Sequence, residues 1–325
     1  MFDERVNPLS GLELSASSNQ RATQLLARDV LCRDLGERLP TLLQYQEQLE
    51  VGSGTVQKAL RILEGAGAAS FISHGHQGTF VCGRHLGRLW AIAGLGAVTA
   101  AMPLPDSPEG SGLAAGLRKE FDRLGIPLQM RFMHGSGQRV GALEGDRADL
   151  AVLSAGAAAS ARQGSGADDW IERDLGAHSY YGQGSLVVLM RPGLDGGDGE
   201  VISTVGIDRE SYDHARLTLA EFPGSGPLRY EEHPYPQLPA AVAGREIDAA
   251  VWHRTALPVP LELLGVTWRP LERPEAVEVS EALSRAVALA VHSRAEVAAL
   301  LRHLDVGRIQ DVQGRVVRGE IPLVF

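Results

Sequence analysis

The chain has 325 residues, 44% of them hydrophobic and 22% charged; this is ordinary globular usage and excludes a disordered or collagen-like polymer. At the usual 100–200 residues per domain, such a length suggests about two domains. The formal charge of −9 excludes a protein that is basic over its whole surface, but the charge is uneven: residues 1–85 hold 8 Lys and Arg against 9 Asp and Glu, so nearly all the acidity lies beyond them.

Residues 1–16 read as a loose arm. Ser17 or Ser18 can cap a helix whose apolar side carries Ala22, Leu25, Leu26 and Val30. Residues 36–81 then read GERLPTLLQYQEQLEVGSGTVQKALRILEGAGAASFISHGHQGTFV. A short helix follows Pro40, and a Gly52-Ser53-Gly54 turn follows that helix. A second helix opens at about Thr55, apolar at Val56, Ala59, Leu60 and Leu63. A Gly-rich break leads to a β-ribbon ending Gly78-Thr79-Phe80-Val81. Two helices joined by a glycine turn form a helix-turn-helix, and the ribbon is its wing. The second helix must be polar on one side to enter a major groove and apolar on the other to stay attached. Lys58 and Arg61 supply the local cationic face that phosphate contact needs.

This stretch resembles the winged-helix domain of GntR-type bacterial transcription regulators. The matching residues are Arg38-Leu39-Pro40-Thr41, Thr55-Val56, Lys58 to Glu64, and Gly78-Thr79-Phe80-Val81. A closer resemblance is to the YhfZ family of regulators, through Gly52 to Leu60 and Gly75 to Phe80. Two departures from the GntR pattern stand out. Leu42 and Leu43 replace an acidic residue and an arginine, and Ser53 and Gln57 replace two arginines. The resemblance implies double-stranded operator DNA as a partner, and a homodimer is expected because one winged helix gives few base contacts and twofold symmetry doubles them. The expected DNA contacts are Arg38, Thr41, Ser53, Thr55, Gln57, Lys58, Arg61, His74, His76, Gln77 and Thr79.

Residues 83–88 read as a linker, which sets domains of 1–85 and 86–325. The apolar run LWAIAGLGAVTAAMPLP at 89–105 is barely long enough to span a bilayer and is broken by Pro103 and Pro105. It reads as a buried strand, Leu89–Leu95, followed by a pocket loop. A helix from about Ser111 to Leu124, a strand over Pro127–Met133, a short helix over Gln138–Leu143 and a strand over Asp149–Leu153 follow. This alternation implies a parallel sheet with helices on its faces. ALEGDRADLAVLS at 142–154 recurs as AVAGREIDAAVWH at 241–253, with Gly145/Asp149 and Gly244/Asp248 at the same offset. Two such lobes in succession look like the bilobal periplasmic-binding-protein fold. The YhfZ resemblance implies the same fold for the effector domain. Ser185–Arg191 reads as a crossover strand between lobes, and the C-terminal segment returns to the first lobe. Helices are expected over Ser280–Val291 and Ala295–Leu304, and a closing hairpin from Arg315–Arg318 and Ile321–Phe325.

Ligands of open α/β sheets sit at the carboxyl ends of strands. That rule points to Gly135, Ser136, Gly137, Gln138 and Arg139, where a strand end opens a helix. Free N–H groups and an arginine there suit a carboxylate or phosphate. Ser154, Asp208, Tyr212, Trp252 and His253 end the other strands or open their helices, with Ser107 and Glu109 in the first loop and Tyr181 before the crossover. The partner expected there is a small, anionic effector. Cys32 and Cys82 are far apart and belong to no metal-like cluster, which fits a reduced, cytoplasmic setting. No secretory signal is read at the N-terminus. His74 and His76 lack a third ligand, so no metal and no cofactor are expected. An enzyme of the same fold, with Ser136 or Ser154 acting with His253 and Asp208, is the alternative; no strained G-x-S-x-G turn supports it. The expected whole is multidomain α/β: an N-terminal winged helix-turn-helix, then a bilobal, periplasmic-binding-protein-like effector domain, non-enzymatic and without a membrane partner.

Overall fold

The computed structural model describes residues 18–165, 170–194, 201–224, 227–254 and 261–322. It divides into two compact units at Gly96/Ala97. The expected arm at 1–16 lies outside the described residues.

The first unit is built from α1 (Ser18–Cys32), α2 (Leu42–Leu49), α3 (Ser53–Gly65), β1 (Ala69–Ser73), β2 (Thr79–Arg84) and α4 (Leu86–Ile92). Thr41 caps α2 in a reciprocal capping box with Gln44. Glu50, at φ 53°, turns the chain out of α2, and Gly52 caps α3 two residues on. Val56, Ala59 and Leu63 form the buried stripe of α3, packed against Ala22, Leu26 and Val30 on α1. β1 and β2 pair antiparallel as the wing. Residues 36–39 run beside β2, with Gly36 donating to the Val81 carbonyl and Leu39 to the Thr79 carbonyl. The strand expected over Leu89–Leu95 is instead α4 and its exit. A short apolar run without alternation reads equally as buried helix or buried strand. Here Leu89, Trp90 and Ala93 bury together, and the Trp90 indole donates to the Gly96 carbonyl at 2.8 Å.

The second unit holds two lobes. The first contains β3 (Val98–Met102), α5 (Pro108–Leu124), β4 (Leu128–Phe132), α6 (Ser136–Glu144), β5 (Leu150–Ser154), α7 (Ala155–Ser165) and β6 (Trp170–Asp174). The second contains β7 (Leu186–Met190), β8 (Thr204–Ile207), α8 (Tyr212–Glu221), β9 (Arg229–Glu232), α9 (Leu238–Ala243), β10 (Ala249–His253), β11 (Thr267–Pro270) and α10 (Pro274–Leu283). The chain then returns through β12 (Ala286–Val291), α11 (Ala295–Arg302) and α12 (Val306–Val317).

The strand orders are β4-β3-β5-β12-β6 and β9-β8-β10-β7-β11. In each sheet four strands run the same way and only the fourth in order, β12 or β7, runs against them, so the sheets are mixed and not purely parallel. The fourth strand of each sheet is the one that arrives from the other lobe: β7 after the first crossover, β12 after the second. The crossover itself is residues 175–185, upstream of the expected Ser185–Arg191. The two crossings touch where Tyr180 and Tyr181 donate to the Ser284 carbonyl.

Two further expectations are corrected at the C-terminus. Ser280–Val291 is the end of α10 followed by β12, because AVALAV is buried on both faces between β5 and β6. Arg315–Arg318 belongs to α12 and its cap; the hairpin's last residues, 323–325, lie outside the described residues. α12 lies along α5 at Gly112 and Gly116.

Candidate functional site

The carboxyl ends of the parallel strands of both lobes face a shared cavity of about 80 Å³. From the first lobe it is lined by Pro103, Leu104, Asp106, Ser107, Gly110, Leu113, Met133, His134, Gly135, Ser136 and Arg139. Tyr180 and Tyr181 come from the crossover, and Ser211, Asp213, Tyr235 and His253 from the second lobe.

Local sequence explains the placements. Ser107 caps α5 by accepting the Gly110 N–H at 3.0 Å, which turns the chain after β3 back over the cavity. Gly135 sits at φ 71° and caps α6, a conformation that costs glycine little. This puts the start of α6 on the cavity. Arg139, one turn into α6, is 4% exposed. Its guanidinium donates to the Met133 carbonyl and to the Tyr180 hydroxyl, each at 2.9 Å. Its Nε is buried with no hydrogen-bond partner.

Opposite, Asp213 in the first turn of α8 accepts from Ser154 Oγ at 2.7 Å and from the Tyr181 hydroxyl at 3.1 Å. Burial raises the Asp213 carboxyl above its ordinary range; those two hydrogen bonds and the Arg139 charge oppose the rise. Asp106 keeps an open edge to solvent, yet the surrounding protein raises its carboxyl too, with His134 and Arg139 opposing. Burial pushes the Tyr180 hydroxyl up to about 12 and holds the Tyr181 and Tyr235 hydroxyls well above their usual value. All three phenols are therefore neutral donors at physiological pH. Burial also lowers His253, against the Glu109 carboxylate 3.6 Å away, which favours its charged form.

Among the described residues, contacts that join the lobes at this cavity include Ser154 to Asp213, Glu109 to His253, and His134 to Asp208 at 3.4 Å. Asp208 also holds its own loop. It accepts the N–H groups of Glu210, Ser211 and Tyr235, and its N–H donates to His214 Nδ1.

Of the sequence-selected residues, Ser107, Gly135, Ser136, Arg139, Tyr181 and His253 line the cavity. Glu109, Ser154 and Asp208 stand one contact behind it. Gly137 and Gln138 are exposed, and Gly137 faces an outer groove with Tyr212 and Arg216. Trp252 is buried and stacks on Tyr235, with ring centroids 4.1 Å apart. The imagined hydrolytic set falls into three networks: Ser154 with Asp213, His253 with Glu109, and Asp208 with His134. Sequence reasoning did not select Asp213 or Tyr235. Asp213 follows a helix start in the second lobe, as Ser136 does in the first, and that parallel was its only signal.

In the first unit, Ser53, Gln57, Lys58 and Arg61 are exposed on α3, and Thr55 is half-buried. Lys58 and Ile62 border a groove with Asn19, Thr23, Gln24 and Ala91, and Gln57 lies on the other flank of the helix. Arg38 lies over Gly78 at the wing. His74, His76 and Gln77 form the exposed wing tip, where the His74 ring packs edge-on against Phe80. Thr41 and Thr79 sit at the start of α2 and of β2.

Residues 86–322 match the model of the YhfZ C-terminal domain, and residues 34–81 match that of a helix-turn-helix domain. The chain is 31% identical over 259 residues to YhfZ of Escherichia coli (strain K12), covering 79% of this chain and 82% of that one. It is similar to the crystal structure of YhfZ from Shigella flexneri, at 28% identity and a TM-score of 0.55, covering 71% of this chain and 94% of that one. It is also similar, at 14% identity and a TM-score of 0.49, to the periplasmic aliphatic sulphonate binding protein SsuA from Escherichia coli, over 69% of this chain and 75% of that one.

Proposed function

The chain belongs to the YhfZ family, and on that premise we propose that it is a ligand-responsive, DNA-binding transcription regulator. A GntR-like winged helix reads operator DNA, and the two-lobed unit senses a small metabolite bearing an anionic group. The observation that carries this reading is a buried cation, Arg139, set beside a helix start in a cavity between two lobes, on a chain that also carries a helix-turn-helix. Helix N-termini and arginine favour anions for the same electrostatic reason.

The regulator acts in the cytoplasm as a homodimer, because one winged helix makes few base contacts and twofold symmetry doubles them on a pseudo-palindrome. The ligand must bind one lobe arrangement better than another to alter DNA affinity; such coupling is typically about 1–3 kcal/mol. Catalysis has no part in this reading.

A thermal-shift screen of carboxylates, phosphates and sulfonates on the full chain tests it, followed by DNA-binding titrations with and without each hit. A hit that changes operator affinity, with the change lost in Arg139→Gln, supports the reading. Hits that bind without altering DNA affinity, or a light-scattering mass of one chain on DNA, count against it.

A further inference from the structure

The cavity is not a simple anion site. Arg139 brings one buried positive charge, and Asp213, 6% exposed, brings a carboxyl to the same small space. Asp106 adds a second carboxyl at the edge. Between them stand the rings of Tyr180, Tyr181 and Tyr235.

Each simple ligand leaves one of these groups badly placed. A plain anion on Arg139 takes over the cation that now offsets Asp213. It also sets two like charges in one cavity, which disfavours the ionised form of Asp213. A plain cation beside Asp213 leaves Arg139 buried without an anion. A molecule with both charges satisfies both ends.

We propose that the effector is a small zwitterion, its anionic group held by Arg139 and the start of α6 and its ammonium held by Asp213, Asp106 and the surrounding phenols. This rests on the reading of the cavity as the effector site. Asp213 can take an ammonium, because each carboxylate oxygen accepts more than one hydrogen bond. Ser154 and Tyr181 engage one contact on each oxygen. Neutral tyrosine rings add attraction for a cation at their faces. Arg139 and Asp213 line the same cavity, so one small molecule carrying both charges, such as an amino acid, can meet both.

Binding to Asp213 also reaches the lobe contact, since its carboxylate is bonded to Ser154 in the first lobe. An ammonium that keeps Asp213 ionised keeps that acceptor in place and so favours the closed arrangement.

The test uses the full chain, isothermal titration calorimetry and matched series of amino acids, their 2-hydroxy analogues, their des-amino acids and the corresponding amines. Alanine, lactate, propionate and ethylamine make up one series. Within the series that binds, the zwitterion is expected to bind more tightly than each partner by roughly tenfold or more, because a site built around a donor rejects the analogue lacking it. Asp213→Asn, checked for folding by circular dichroism, is expected to remove that preference while anion binding remains. The comparison of ligands on the unaltered chain does not depend on the variant's folding. Equal binding of amino and des-amino acids, lost in Arg139→Gln, overturns the zwitterion and leaves the effector site standing. No binding in any series overturns the zwitterion. Binding that Arg139→Gln does not change overturns the effector site itself.

Discussion

Asp149 and Asp248 hold the same position in the two lobes. Asp149 accepts the Thr99 N–H at the start of β3 at 2.8 Å, and Asp248 accepts the Thr204 N–H at the start of β8 at 2.9 Å. Each follows a helix, a glycine and a left-handed residue, Asp146 at φ 53° in one lobe and Arg245 at φ 62° in the other. Each also pairs with an arginine: Arg294 with Asp149 and Arg191 with Asp248. A carboxylate in this place ties the incoming strand to its neighbour by charge-assisted bonds, which is why the motif repeats.

Asp248→Asn is accordingly expected to cost about 2 kcal/mol at pH 7. The Asp248 carboxyl is held far below its ordinary value by Arg191 and by the Ser203 and Thr204 donors, against the opposing effect of burial. A depressed acid contributes stability above its unfolded value of about 4 and loses it as pH falls through the folded value. The gap between wild type and variant should therefore shrink below about pH 4. Guanidinium melts at pH 7 and pH 3 measure it; an equal gap at both would contradict this account.

His214 is depressed as well, but by burial, which disfavours its charged form. Its Nδ1 accepts the Asp208 N–H and its Nε2 meets the Val251 carbonyl, so the neutral Nε2–H tautomer fits and an added Nδ1 proton does not. Burial lowers it from 6.5 to about 4. Its stability contribution is present above the ordinary histidine value and is lost as pH falls from there toward the folded one. Unfolding free energy should fall between pH 6.5 and 5 with a slope approaching about 1.4 kcal/mol per pH unit. Urea melts over that range should show this slope, and His214→Asn should flatten it.

The winged helix and the lobe repeat were legible in the sequence because both depend on local spacing. The Gly145/Asp149 and Gly244/Asp248 offsets fix local bonds; the turn expected at Gly52-Ser53-Gly54 lies instead at Glu50, with Gly52 capping α3 and Ser53 and Gly54 already helical. The two crossing strands were not legible in the same way. β12 has no alternation because both its faces are buried, and its alanines suit a helix as well. α12 was hidden by Gly314 and Gly319, which suggest a turn until α5 supplies the surface that the helix covers. The cavity was half legible: Ser136 and Arg139 follow from one strand end, whereas Asp213 and Tyr235 matter only once the second lobe is folded against the first.

α12 packs closely over Gly116 of α5. A Cβ there would stand 2.6 Å from the Ile309 carbonyl oxygen, which is backbone and cannot rotate away. Gly116→Ala should therefore push α12 outward and cost about 1–3 kcal/mol. Gly137, with open space around it, is the control: Gly137→Ala should be neutral or slightly stabilising in a thermal melt. Equal melting temperatures for the two variants would remove the close-packing argument.

The α3 surface predicts a division of labour at DNA. Arg61 is an exposed cation on the side of α3 away from Val56, Ala59 and Leu63, and Lys58 is exposed on the flank that borders α1 and α4. Cations placed this way hold phosphates and carry no sequence information. Gln57 lies on the other flank, and its amide can read adenine bidentately. Lys58→Ala should weaken binding to every duplex and reduce the salt slope by about one unit, and Lys58→Ala/Arg61→Ala by about two. Gln57→Ala should leave the salt slope alone and change affinity at one base position, by about 1–3 kcal/mol. Fluorescence anisotropy over a range of salt, on a duplex selected by the protein from random sequence and on a scrambled one, separates these effects. Full affinity and an unchanged salt slope in the double variant would move the DNA contact off this face of α3.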